Sequence, residues 1–160
     1  MAEVSFYILP TESLQDRYRF ACKLIEKAYR SGSFCYVLTD SDEQSRIIDD
    51  LLWTFRAGSF IPHQIYTGEL PDIARDGVYA ASSPGASAAI EKVILIGSLN
   101  APEHWQKVLF NLSSRYPELG PSTERILEIL DNSETTKEAG RNRYRRYQQA
   151  GMKITTHKDW

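Results

Sequence analysis

Cysteine is scarce in this chain. Cys22 and Cys35 are the only two among 160 residues, too few for a disulfide framework, and no Cys/His pair has the spacing of a zinc site. No run of 18 apolar residues occurs, so no segment reads as a membrane-spanning helix. The opening Met1-Ala2-Glu3-Val4 lacks the basic and apolar regions of a secretory signal. An excess of one charge is also missing: 19 Lys and Arg face 21 Asp and Glu, a net charge of −2. That balance argues against a chain that coats nucleic acid along its whole surface. The expectation is a soluble cytoplasmic domain without a disulfide or metal framework.

Catalytic signatures are absent as well. Neither GxGxxG, nor GxxxxGK[ST], nor GxSxG occurs. His63, His104 and His157 have no Cys or Asp neighbour at ligand spacing, and Asp49-Asp50 are adjacent, so on a helix they diverge by about 100°. No catalytic residue, cofactor site or metal site is expected.

What is present suffices for a core: 42% of the residues are hydrophobic and 11% aromatic, which fits one domain spanning 1–160. Val4 to Leu9 reads as a buried strand ended by Pro10. A helix follows over about Ser13–Ser31, with Gly32 where a left-handed cap belongs. Phe34–Thr39 is a second strand. Ser41 and Gln44 form a capping box before the stripe Ile47, Ile48, Leu51, Leu52 and Phe55. The βαβα order predicts an α/β fold with a mainly parallel sheet covered by helices. Its first two strand-to-helix junctions, Pro10-Thr11-Glu12-Ser13 and Asp40-Ser41-Asp42-Glu43, are acidic and lack glycine, which suits no phosphate.

Residues 56–92 are loop-rich, with one strand candidate at Gly77–Ser82. Val93–Ile96 reads as a central strand. Asn100 and Glu103 box a helix expected to carry Trp105, Val108, Leu109 and Leu112. Residues 113–123 read as a loop. Arg125–Leu130 fits helix or strand by pattern. A last helix spans about Glu134–Gln149, before Gly151 and a polar tail.

Two features point to partners. Residues 137–158 hold seven basic residues against Glu138 alone, leaving −8 on the rest of the chain. Lys137, Arg141, Tyr144 and Arg145 share an arc of about 100° on the last helix, while Ala139, Tyr147 and Ala150 fall elsewhere, free to pack. A ring flanked by cations suits an acidic peptide or a free carboxylate with an apolar neighbour. It equally suits a single-stranded nucleic-acid backbone with a stacked base, and the pattern also describes a solvated basic face. Gly140 weakens this helix by about 1 kcal/mol. The second feature is Trp53, about 100° beyond the edge of the Ile47–Phe55 stripe. With the apolar loop residues Phe60 and Ile61 before Pro62-His63, it marks a candidate docking patch, unless other elements cover both faces of its helix.

Together these residues resemble a known family. Leu52-Trp53, Ser59-Phe60-Ile61-Pro62-His63 and Arg141-x-Arg143-Tyr144-Arg145-x-Tyr147 with Ala150-Gly151 are similar to the chi subunits of bacterial DNA polymerase III. Phe6–Leu9, the strand before Gly97 and Arg125–Ile129 before Asp131 extend the resemblance over nearly the whole chain. It implies a three-layer Rossmann-like fold without nucleotide binding or catalysis, and it makes Arg125–Leu130 a strand. It further implies a non-catalytic adaptor in the clamp-loader complex. Such an adaptor joins the psi subunit to the acidic C-terminal tail of single-stranded-DNA-binding protein, and meets DNA only indirectly. Carried over residue by residue, Leu130, Lys137, Arg141, Tyr144 and Arg145 match tail-binding positions. Trp53, Phe60, Pro62 and His63 fall in the region that resembles the psi-facing surface. Residues 113–123 look like an insertion, and Ile65–Ala88 resembles the family poorly.

Overall fold

The computed structural model describes residues 2–32, 34–56, 61–68, 78–80 and 90–158. Strand β1 (Glu3–Ile8) leads into helix α1 (Leu14–Arg30), strand β2 (Cys35–Leu38) and helix α2 (Asp42–Thr54). Each helix starts where a serine satisfies an orphan amide: Ser13 Oγ accepts from Asp16 N at 3.2 Å, and Ser41 Oγ from Gln44 N at 3.1 Å. Gln44 reaches back to the amide of Asp40 rather than Ser41. Gly32 closes α1 at φ 86°, as its sequence position predicts.

Short strands β3 (His63–Ile65), β4 (Val78–Ala80), β5 (Ile90–Lys92) and β6 (Ile94–Gly97) follow. Then come a 3-10 turn at Glu103–Trp105, β7 (Val108–Asn111), β8 (Arg125–Leu130), helix α3 (Glu134–Gln149) and β9 (Lys153–His157). Seven strands form one parallel sheet in the order β3-β6-β2-β7-β8-β1-β9, and β4 pairs antiparallel with β5 in a separate ribbon. No helix among the described residues is long and apolar enough to cross a membrane.

The order of strands decides where the helices lie. The crossovers through α1 and α2 step in one direction along the sheet, and the crossover through α3 steps in the other. Right-handed connections therefore put α3 on the opposite face. Alternation along the strands supplies both faces with core. Cys35, Val37, Leu127 and Ile129 pack with Ile25 of α1 and with Ile48 and Leu52 of α2. Val4, Phe6, Ile126 and Leu130 pack with Tyr147 of α3, and Tyr36, Leu38, Leu95 and Leu109 pack with Trp105. The parallel sheet is the one expected from the βαβα order, and the three-layer Rossmann-like architecture is the one the family resemblance implies.

Several expectations are corrected. The helix expected to carry Trp105, Val108, Leu109 and Leu112 is one 3-10 turn followed by β7. Val108–Asn111 lies between β2 and β8, buried on both faces, so its continuous apolar run reflects a central strand. Trp105 is fully buried and its indole donates to Val93 O at 2.7 Å. The polar tail contains β9, which pairs with β1 from Glu3↔Lys153 to Tyr7↔His157. Within α2, Ile48 and Leu52 are buried, but Ile47 at the margin of the stripe is 40% exposed. In the middle, β4 falls inside Gly77–Ser82, whereas β3 and β5 were not foreseen. Ala150 is exposed rather than packed.

Burial also fixes how stability responds to alkali. Desolvation pushes the Cys22 thiol up to about 12 and pushes the Tyr36 and Tyr147 phenols well above their ordinary range. Each ionises in the unfolded chain first, so its contribution is intact below the unfolded value and is lost as pH rises. Urea unfolding followed from pH 8 to 11 is expected to lose about 1.4 kcal/mol per pH unit for each such group once its unfolded value is passed. A flat profile across that range would contradict the burial of these groups.

Candidate functional site

One buried charge fixes the seat of α3. Glu128 on β8 and Arg143 on α3 are 0% and 3% exposed. Arg143 Nε and Nη2 donate to the Glu128 carboxylate at 2.9 and 3.0 Å, and Arg143 Nη1 donates to Ser114 O at 3.1 Å. Tyr147 Oη and Asn111 Nδ2 donate to the same carboxylate at 2.7 and 2.9 Å. A buried carboxylate needs this many partners, because burial without them is costly. Arg143, one of the seven basic residues in the charge count, is thus buried and lies off the basic arc. A ring-to-guanidinium contact adds to the seat: Arg146 lies 3.9 Å over Tyr116, which packs on Tyr147 at 4.9 Å. Residues 113–123, similar to an insertion, therefore help hold α3.

Gly140 has a different role from the weak point that propensity predicts. Helix α3 runs through it without a break. A Cβ there would come within 2.5 Å of Leu130 Cδ1, so glycine permits close approach of α3 to β8.

Beside this contact lies a cavity of about 810 Å³. Its apolar floor is Phe6, Ile8, Leu9, Pro10 and Leu130, and α3 contributes Lys137, Gly140, Arg141, Tyr144 and Arg145. Thr156 and Lys158 form the wall at β9. The structure thus brings Leu130, Lys137, Arg141, Tyr144 and Arg145 together around one space. The cavity lies beyond the carboxyl ends of β1 and β8, whose following helices depart to opposite faces of the sheet. That is the switch point at which open α/β sheets bind ligands. On the α1 side buried Arg17 donates to Ile129 O of β8 at 2.7 Å and to Leu112 O, just after β7, at 3.3 Å. The floor residues and Thr156 and Lys158 were not read as site residues from sequence. Only the β-branched Ile154-Thr155-Thr156 hinted at the strand that carries the last two.

Tyr144 is 37% exposed and its ring lies 5.4 Å from Phe6, tilted by 53°. Lys137 Nζ lies 3.2 Å from Glu134 Oε1, and Arg145 has a long contact of 3.5 Å to Asn142. Among the described residues no carboxylate pairs with Arg141. An unpaired guanidinium at the mouth of an apolar space can fork onto a carboxylate while an apolar side chain enters beside it.

The second surface centres on Trp53, 49% exposed, whose ring lies 4.4 Å from that of His63. The His63 side chain is itself covered, with Nδ1 2.6 Å from Ile61 O and Nε2 3.1 Å from Asp49 O and 3.2 Å from Asp49 Oδ1. Burial pushes the Asp49 carboxyl up, against the opposing pull of His63. His63 therefore supports Trp53 from beneath. Pro62 is half-buried and its carbonyl accepts from Ile94 N at 2.9 Å, while Phe60 lies outside the described residues. Among the described residues no group of three or more His, Cys, Asp or Glu could hold a metal ion.

Two arginines two residues apart thus have opposite roles. Arg143→Ala is expected to lower unfolding free energy by about 3–5 kcal/mol, because it strands the Glu128 carboxylate. Arg141→Ala should stay within about 0.5 kcal/mol of the parent. Urea denaturation of both variants checks this, and equal effects would remove the distinction.

Comparison with known proteins identifies the family. The family model "DNA polymerase III chi subunit, HolC" matches residues 1–155. The chain is 27% identical over 158 residues to the DNA polymerase III subunit chi of Pseudomonas aeruginosa, covering 99% of this chain and 97% of that protein. It is 26% identical over 151 residues to the subunit chi of Haemophilus influenzae, covering 94% and 93%, and 20% identical over 160 residues to that of Escherichia coli, covering 98% and 97%. The chain belongs to the DNA polymerase III chi subunit family, accessory subunits of the DNA replication machinery.

Proposed function

We propose that this chain is a non-catalytic adaptor of the clamp-loader complex, working in the cytoplasm and joining the psi subunit to the acidic C-terminal tail of single-stranded-DNA-binding protein. The observation that carries this reading is the cavity at the end of β1 and β8, where an apolar floor meets the cations of α3. The terminal carboxylate of the tail pairs with Arg141, and its apolar side chain enters between Leu130, Tyr144 and Gly140. Lys137 and Arg145 attract the acidic residues before it. Trp53, with His63 beneath it and Phe60 and Pro62 nearby in sequence, offers an aromatic anchor for psi.

Two modest affinities on one body raise the local concentration of the polymerase assembly at coated single-stranded DNA. Contact with DNA is indirect. Part of the tail affinity is carboxylate–guanidinium attraction, so binding weakens as salt rises.

Titration with a labelled peptide carrying an acidic cluster and a C-terminal Phe tests the reading. Micromolar binding is expected, with a loss of at least about tenfold on removing the Phe or on Arg141→Ala. Failure of the peptide to bind, with tight binding of a labelled single-stranded oligonucleotide instead, would favour a direct nucleic-acid contact by the same basic face. For the second surface, Trp53→Ala is expected to weaken capture of purified psi by about thirtyfold or more while peptide affinity is unchanged. Parent-like capture of psi would remove Trp53 from that interface.

A further inference from the structure

The wall of the cavity opposite α3 comes from β9, a strand absent from the sequence reading. Its placement has a cause. The register pairs Phe6 with Thr156 and Tyr7 with His157, and the His157 ring stacks on Tyr7 at 4.6 Å. Tyr7 packs against the core on the α1 side, while Ile154 packs against the core beneath α3. With side chains alternating along a strand, Ile154, Thr156 and Lys158 all face the α3 side. Thr156 and Lys158 there line the cavity.

Lys158 is exposed, and among the described residues it has no ion pair. Its counterpart at the other end of the strand, Lys153, lies 3.8 Å from Glu3. Cations without an ion pair among the described residues therefore line the cavity from two separate places, Arg141 on α3 and Lys158 directly after β9. They differ in kind. The planar fork of Arg141 suits a carboxylate held in fixed orientation, whereas a lysine ammonium on a flexible stem suits carboxylates of looser position. β9 is also the last strand of the sheet. A chain seated between α3 and β1 has a helix on one side and, on the other, a strand that is the last of the sheet among the described residues.

We propose that Lys158 is a second-wall binding residue for acidic side chains that precede the C-terminal residue of a bound peptide, with the peptide leaving the cavity over Thr156 and the β9 edge. This rests on the tail-binding reading above and extends it. The site then requires a carboxylate terminus, an apolar last side chain and acidic residues upstream, the last read from both walls.

The test is a double-mutant cycle on the full chain. Parent, Lys158→Ala, Lys153→Ala and Arg141→Ala are titrated with the acidic Phe-ended labelled peptide and with the same peptide carrying Asn for each acid. Lys158→Ala is expected to weaken the acidic peptide about two- to fivefold, in the range of exposed charge pairs, and to leave the Asn peptide unchanged. Lys153→Ala should leave both unchanged, and Lys158→Glu should weaken the acidic peptide more than Lys158→Ala does. An equal loss on both peptides would make Lys158 a merely structural residue, and parent-like affinity in Lys158→Ala would remove it from the site. Either result overturns the inference, while binding that still depends on Arg141 keeps the tail-binding reading standing. No peptide binding by the parent overturns both.

Discussion

A carboxylate without access to water sits beneath α3, and the placement of that helix follows from how its charge is met. Glu128 interrupts the apolar run Ile126–Leu130 of β8, on the sheet face that packs beneath α3. It is stable there because Arg143, Tyr147 and Asn111 all donate to it. The bidentate guanidinium fixes both the rotation of α3 and its distance from β8. Gly140 lets the helix come close, and Tyr116 with Arg146 holds the same helix from the side of the 113–123 segment. With rotation set in this way, Arg141 and Tyr144 face the cavity because Arg143 and Tyr147 face the sheet.

The cavity itself is a product of strand order. Crossovers in opposite directions from neighbouring strands leave a crevice at their carboxyl ends. In many α/β folds glycine-rich turns make such a crevice a phosphate site. Here the turn after β1 reads Pro10-Thr11-Glu12-Ser13, and the crevice is lined by Phe6, Ile8 and Leu130 together with the cations Lys137, Arg141, Arg145 and Lys158. The same geometry that serves nucleotides elsewhere thus offers an apolar hole beside a guanidinium. Under the proposed reading this hole takes the end of a peptide chain.

The two candidate surfaces belong to different helices on opposite faces of one sheet. Trp53 belongs to α2 and is backed by His63 of β3 at one sheet edge, while the cavity lies between α3 and the strands at the other edge. The parallel strands between them are joined by continuous hydrogen-bonded ladders. Under the adaptor reading proposed above, the two partners would be held at opposite edges of one continuous sheet.

By itself the sequence determined the α/β class, the two capped helices, the basic arc of α3 and the place of Trp53 off the apolar stripe of α2. These are written in periodicity and in local capping chemistry, which act over a few residues. Only the tertiary structure decided that Val108–Asn111 is a strand, since a short run buried on both faces has no period to read. It also decided that Arg143 is buried while Arg141 is free, because the difference is made by Glu128, fifteen positions away in sequence. The same holds for Gly140, whose value lies in the approach of Leu130, and for Lys158, which reaches the cavity through pairing of β9 with a strand at the far end of the chain. Local order is set by neighbours in sequence, but a site is set by neighbours in space, and those come from the packing of the sheet.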